Sequence, residues 1–174
     1  GQVIVDSAVE GKVKLVLDGV DLTSSSDSPL VVTQADEVVV ILADGSSNSV
    51  ADSAASAADD EQEDAATAAL FSMADLTIAG TGSLDVVGAS NDGIASKDGL
   101  VILSGTVSVT AVDDGIRGKD YLVIAGGSVS VDAGGDGLKS DNETQGELGW
   151  IQVDDGTVTV SAGSDGADAV GAVK

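Results

Sequence analysis

The 174-residue sequence has no cysteine and no histidine. That removes thiolate nucleophiles, imidazole bases and the usual zinc and copper sites. Proline occurs once, and aromatic residues make up only 2% of the chain. With hydrophobic residues at 43%, the interior must be built from Val, Ile, Leu and Ala in thin regular layers rather than around bulky rings. Positive charge is scarce as well. Seven Lys and Arg stand against thirty Asp and Glu, a formal net charge of −23. Nucleic acid and anionic membrane are therefore excluded as direct partners, and no membrane span or signal peptide is visible. Hard oxygen ligands are what remain, and they suit a calcium ion.

The sequence does contain a repeat. Lys97-Asp98-Gly99-Leu100-Val101-Ile102 and Lys119-Asp120-Tyr121-Leu122-Val123-Ile124 match at a step of 119 − 97 = 22 residues. Asp92-Gly93-Ile94, Asp114-Gly115-Ile116 and Asp136-Gly137-Leu138 keep that step, and Asp165-Gly166-Ala167 follows 165 − 136 = 29 residues on. The excess places a loop at about 142–148. Each repeat carries three short apolar groups with period-two alternation, so the sequence predicts an all-β, right-handed parallel β-helix. Each coil holds about 22 residues and three short strands, and roughly six coils fit the length. Like residues then stack in columns such as Leu76/Leu100/Leu122/Ile151, with Gly82, Gly105, Gly127 and Gly156 at one corner.

We expect a single domain over 1–174, with an acidic Ala/Ser-rich insertion at about 50–69, centred on Asp59-Asp60-Glu61-Gln62-Glu63-Asp64. Neither end shows an amphipathic cap, so either the native chain continues or copies stack end to end as a filament.

Stacking turns repetition into ladders of functional groups. Asp92, Asp114, Asp136 and Asp165 form one column, preceded by Asn91, Asp113, Gly135 and Ser164. Carboxylates at coil spacing repel by about 1 kcal/mol or more per pair, so calcium is expected there, centred on Asp113 and Asp114, with Asn91, Asp92, Asp136 and Asp165 as further ligands. The plainer alternative is Asp-Gly turn chemistry, with Asp bonding its own turn and Gly supplying a positive φ.

A second column holds Ala95, Arg117 and Lys139, and a third Lys97, Lys119 and Asp141. These cations either neutralise the Asp column or hold the carboxylates of an anionic polymer, Arg117 by a bidentate fork and Lys97, Lys119 and Lys139 as point charges. Tyr121 and Trp150 share a column and directly precede inward residues, so alternation points them outward, where they form either a sugar platform or a shield over the 142–148 loop. Outward columns Thr106/Ser128/Thr157 and Ser108/Ser130/Thr159 make a flat hydroxyl-rich face of the kind that orders water.

The segments Asn91–Asp98, Val112–Asp120 and Gly134–Ser140, with Lys12–Val20 in an earlier coil, resemble the calcium-binding, carbohydrate-binding β-helix domains of the pectin-lyase-like superfamily. Those are extracellular bacterial proteins associated with binding cellulose and polygalacturonate. The resemblance implies calcium at the Asp-Gly turns, a fold related to pectate lyases, an extracellular or cell-surface location, a polysaccharide partner, either polygalacturonate or cellulose-like, and a chain that is the central part of a longer family domain.

Three functions are thus in view. The first is a non-catalytic module that binds calcium and acidic or cellulosic polysaccharide. The second is a calcium-stiffened structural solenoid, such as an adhesin stalk or fibre subunit. The third is a calcium-dependent polysaccharide lyase with Arg117 or Lys119 as base, which the surrounding carboxylates oppose by raising the pKa such a base needs lowered.

Overall fold

The computed structural model describes residues 1–54 and 65–174. Short runs of β-branched residues alternate with small polar ones and are broken every few residues by Gly or Ser-Asp turns. They form short strands, each of which pairs with the equivalent strand one coil away.

Three parallel sheets result. Sheet A stacks β1 (Val3–Asp6), β4 (Leu30–Gln34), β7 (Ala68–Ser72), β10 (Asp92–Ser96), β13 (Ile116–Gly118), β16 (Leu138–Ser140) and β19 (Ala167–Ala169). Sheet B stacks β2 (Lys12–Leu17), β5 (Glu37–Leu42), β8 (Asp75–Gly80), β11 (Gly99–Ile102), β14 (Tyr121–Ile124) and β17 (Trp150–Val153). Sheet C stacks β3 (Asp21–Thr23), β6 (Ser47–Ala51), β9 (Ser83–Gly88), β12 (Thr106–Ala111), β15 (Ser128–Ala133) and β18 (Thr157–Ala162). The molecule is a right-handed parallel β-helix of about six coils with a triangular section. Among the described residues no helix is long and apolar enough to cross a membrane.

The expected columns are real neighbours. Leu76, Leu100, Leu122 and Ile151 face one another in register, as do Ile94, Ile116, Leu138 and Ala167. These side chains point inward, and a single cluster runs up the axis from Val5 and Leu17 to Ile151. Each coil adds an apolar layer to this cluster and depends on its neighbours to bury it. Asn48 breaks the pattern at an inward position, and its amide is satisfied by accepting from Val20 N–H (2.9 Å) and donating to the Ser83 carbonyl (3.0 Å).

The Asp-Gly turns work differently from the turn-chemistry alternative. Gly93, Gly115 and Gly137 do not have positive φ. A Cβ on each would come within 2.2 Å of a core valine, Val109, Val131 and Val160 respectively. Glycine is needed there for space, where sheet A packs against sheet C. Positive φ belongs instead to the corner glycines Gly105, Gly127 and Gly156.

β6 ends at Ala51 and β7 starts at Ala68, so the acidic stretch falls between them. Residues 55–64, with its charged centre, lie outside the described residues. The loop at 142–148 joins β16 to β17, anchored by Asn142, whose Oδ1 accepts from the N–H groups of Thr144 (2.9 Å) and Gln145 (3.2 Å).

Candidate functional site

Sheet A carries the Asp column along its edge, with Asp92 opening β10 and Asp114, Asp136 and Asp165 each two residues before β13, β16 and β19. The carboxylate of each Asp accepts a hydrogen bond from the backbone N–H of the next Asp up the column. Asp114 N–H donates to Asp92 Oδ1 (3.1 Å), Asp136 N–H to Asp114 Oδ1 (2.9 Å) and Asp165 N–H to Asp136 Oδ1 (3.1 Å). The bonds run between coils and form a continuous ladder. Asp92, Asp114 and Asp136 are buried, while Asp165 is exposed.

The outward column beside it supplies counter-charge. Lys139 Nζ sits 2.9 Å from both Asp114 Oδ2 and Asp136 Oδ2, bridging two rungs. Arg117 turns mainly to Asp141, with Nη2 2.5 Å from Oδ2 and Nε 3.3 Å from Oδ1, and its Nη1 stands 4.0 Å from Asp92 Oδ2. Two of the cations expected to meet a polymer are thus engaged by the protein's own carboxylates. Lys97 leans over Phe71, its Nζ 6.0 Å from the ring centroid. Burial, and then the nearby charges of Arg117 and Lys119, hold the Lys97 pKa below its ordinary value. Lys119 follows Lys97 in the same column.

At the lower end of the ladder three carboxylates crowd together. Asp92, Asp113 and Asp114 each bring one carboxylate oxygen to a point where all lie within 4.8 Å of one another. Burial pushes the Asp92 carboxyl up to about 7, with Asp114 adding to the rise and Arg117 opposing it. Asp136, next to Lys139, is held below the usual carboxylate range, because the hydrogen bonds from Lys139 and Asp165 outweigh its desolvation. Gly135, one coil above Asp113, leaves room for the cluster. A Cβ there would fall 2.5 Å from Asp113 Oδ1 and 2.8 Å from Asp114 Oδ1. Asn91 immediately precedes Asp92, and its carbonyl accepts from Asp113 N–H (3.2 Å).

Tyr121 and Trp150 do face outward, in register on β14 and β17, and they stack on one another with centroids 5.3 Å apart and planes at 17°. Each ring spends a face on the other. Lys174 covers Trp150 at 5.3 Å. Tyr121 lies over Gly99 and donates its hydroxyl to Asp75 Oδ1 (3.3 Å). Sequence reasoning missed Asp75 as a partner, although it precedes the inward Leu76 as Tyr121 precedes Leu122. It also missed Asp52, which accepts from the N–H groups of Ala89 (2.5 Å) and Ser90 (3.3 Å) below the ladder.

Comparison with known proteins gives a consistent picture. A protein of Acetivibrio thermocellus described as carbohydrate-binding domain-containing is 38% identical over 173 residues, covering 99% of this chain and 60% of the relative. The chain therefore spans less than two thirds of that relative's length. A polysaccharide lyase-like protein from C. thermocellum, solved as a gadolinium derivative, superposes with a TM-score of 0.90 at 29% identity, covering all of this chain and 79% of that one. The whole of residues 1–174 matches the family described as carbohydrate-binding domain-containing protein, and the chain belongs to that family.

Proposed function

We propose that this chain is a non-catalytic, extracellular binding module that holds calcium at the lower end of its Asp ladder and binds acidic or cellulosic polysaccharide. The observation that carries the calcium reading is the convergence of Asp92, Asp113 and Asp114 within 4.8 Å, with Gly135 keeping the space clear. Calcium–oxygen distances of about 2.4 Å put opposite ligands about 4.8 Å apart, so the all-oxygen donor set fits. Asp92, Asp113 and Asp114 would hold the ion, with Asn91 beside them, and the ion would supply positive charge to a uronate carboxylate. A hard cation also offsets the desolvation that burdens Asp92. The structural neighbour was obtained as a gadolinium derivative, and hard cations of that kind take oxygen ligands. Lys97 and Lys119 supply the cationic handles, since Arg117 and Lys139 serve the protein's own carboxylates. A polymer of this kind is met outside the cell, which is the ground for the location.

The name of the structural neighbour favours weighing a lyase as well. Proton abstraction by Arg117 needs a lowered pKa. Burial alone would lower it, but the hydrogen bond and charge of Asp141, with Asp92 and Asp114, leave it raised. That supports binding without catalysis.

Affinity electrophoresis in polygalacturonate, with and without chelator, tests the reading. Retention should be strong with Ca²⁺, weak with chelator, and weak in Asp114→Ala under both conditions. The Ca²⁺-induced rise in melting temperature should also shrink in that variant. Retention indifferent to chelator, or release of unsaturated uronides from the polymer, would overturn it.

A further inference from the structure

A second surface lies away from the Asp ladder, on the outer face of sheet C. There a groove of about 580 Å³ crosses the first four coils. Its walls include Asp21, Ser47, Ser49, Asp85, Thr106 and Ser108. Register explains the shape. Asp21, Ser49, Asp85 and Ser108 form one outward column, and Ser47, Ser83 and Thr106 form another. Short side chains in adjacent columns keep the sheet surface low, and no Lys, Arg or aromatic residue lines the groove.

Its hydrogen-bonding capacity is largely unspent. Asp21 Oδ1 accepts from Ser49 Oγ (2.8 Å). Asp85, at the centre, is exposed, and among the described residues its carboxylate has no hydrogen-bond or ion-pair partner. An ionised carboxylate is purely an acceptor with about four lone-pair sites, so the matching ligand is rich in hydroxyl donors. Ser and Thr hydroxyls beside it both donate and accept. Two carboxylates with no cation nearby repel an anionic ligand. The ligand that satisfies these conditions is an uncharged polyhydroxylated chain.

We infer that the groove on sheet C is a binding site for a neutral glycan, separate from the calcium-dependent edge, with Asp85 accepting paired hydroxyls of one sugar unit. The inference deepens the carbohydrate-binding reading and rests on it. The strands that form the walls are fixed by the solenoid, so binding requires little reorganisation. No calcium is involved.

The test compares native-gel retention in hydroxyethylcellulose and in polygalacturonate, each with and without EDTA. Three variants are used: Asp85→Ala, Ser108→Trp to fill the groove, and Asp132→Ala on the same face but outside it. Circular dichroism confirms that each is folded. In hydroxyethylcellulose the wild type and Asp132→Ala should be retained equally, with or without EDTA. Asp85→Ala should lose at least fivefold in affinity and Ser108→Trp nearly all of it. Both groove variants should keep wild-type retention in polygalacturonate. Unchanged hydroxyethylcellulose retention in both groove variants would overturn the inference. So would a wild type retained in polygalacturonate alone, an outcome that leaves the calcium-dependent reading standing. Retention in neither polymer would overturn both readings.

Discussion

Asp92 sits where burial, a like-charged neighbour and a distant guanidinium meet. Its carboxyl is pushed up to about 7, against about 3.9 in an unfolded chain. Between those values the folded protein holds a proton on Asp92 that the unfolded chain has released. Stability therefore falls as pH rises from about 4 to about 7, in metal-free protein. Asp114 and Asp113 face it as like charges, and Arg117, 4.0 Å away, only partly offsets them. Denaturant unfolding in the presence of chelator, at pH 4.5 and pH 7.5, should show that loss in the wild type. The Asp92→Asn variant should show a smaller loss over the same range. Equal loss in the two proteins would mean that Asp92 is not the group responsible.

At the scale of the strand, an aromatic pair on the outer face of β14 adds to the backbone ladders that join it to β11 and β17. Tyr121 occupies the space above Gly99, reaches down to Asp75 on β8 and stacks on Trp150 of β17, so one side chain spans several coils. A Cβ at Gly99 would lie 2.0 Å from Tyr121 Cζ. Gly99→Ala should therefore swing the ring outward, release Asp75 and cost about 1–3 kcal/mol. Trp150 is the sole tryptophan, so its fluorescence and near-ultraviolet dichroism report the loss of the stack directly. Unaltered spectra with unaltered stability would refute this account of the pair.

The strands of coils three to six were legible because steps of 24, 22 and 29 residues along Leu76, Leu100, Leu122 and Ile151 keep like residue types aligned, and register depends only on that alignment. Coils one and two were harder to read. Leu15 faces Val40, and Val40 faces Ile78, across connections of unequal length, so spacing gave no guide. The Asp column was legible as a column, but the use of its carboxylates was not. Whether Arg117 meets Asp141 or a ligand depends on side-chain reach, and a repeat in one dimension does not encode it. For Gly93, Gly115 and Gly137 the sequence leaves a turn role and a packing role open, because both select the same residue. Only the packing of Val109, Val131 and Val160 separates them.

For the whole molecule, stability is a sum over coils and their interfaces, and it is unevenly distributed. The middle coils, around β8 to β15, bury their inward residues completely, whereas β1, β18 and β19 keep most positions exposed or half-buried. Hydrogen exchange should accordingly grade along the axis, with amides of β11 and β12 opening only near the global unfolding free energy and those of β1 and β19 at close to zero cost. Uniform protection from end to end would show that the coils unfold as a single unit.

The 22-residue step from β10 to β13 also makes that coil a removable part. Lys119 N–H already donates to the Ser96 carbonyl (3.0 Å), one coil below its own position. Excision of residues 97–118 would put Lys119 directly after Ser96, with Leu122 where Leu100 had been and Tyr121 directly over Asp75. The rod would shorten by about 4.8 Å and lose Asp113 and Asp114 together. Length and the carboxylate pair Asp113 and Asp114 are therefore inherited in the same 22-residue unit. A gene for such a protein can lengthen or shorten its product by whole coils, each change adding or removing a rung, without redesigning the core.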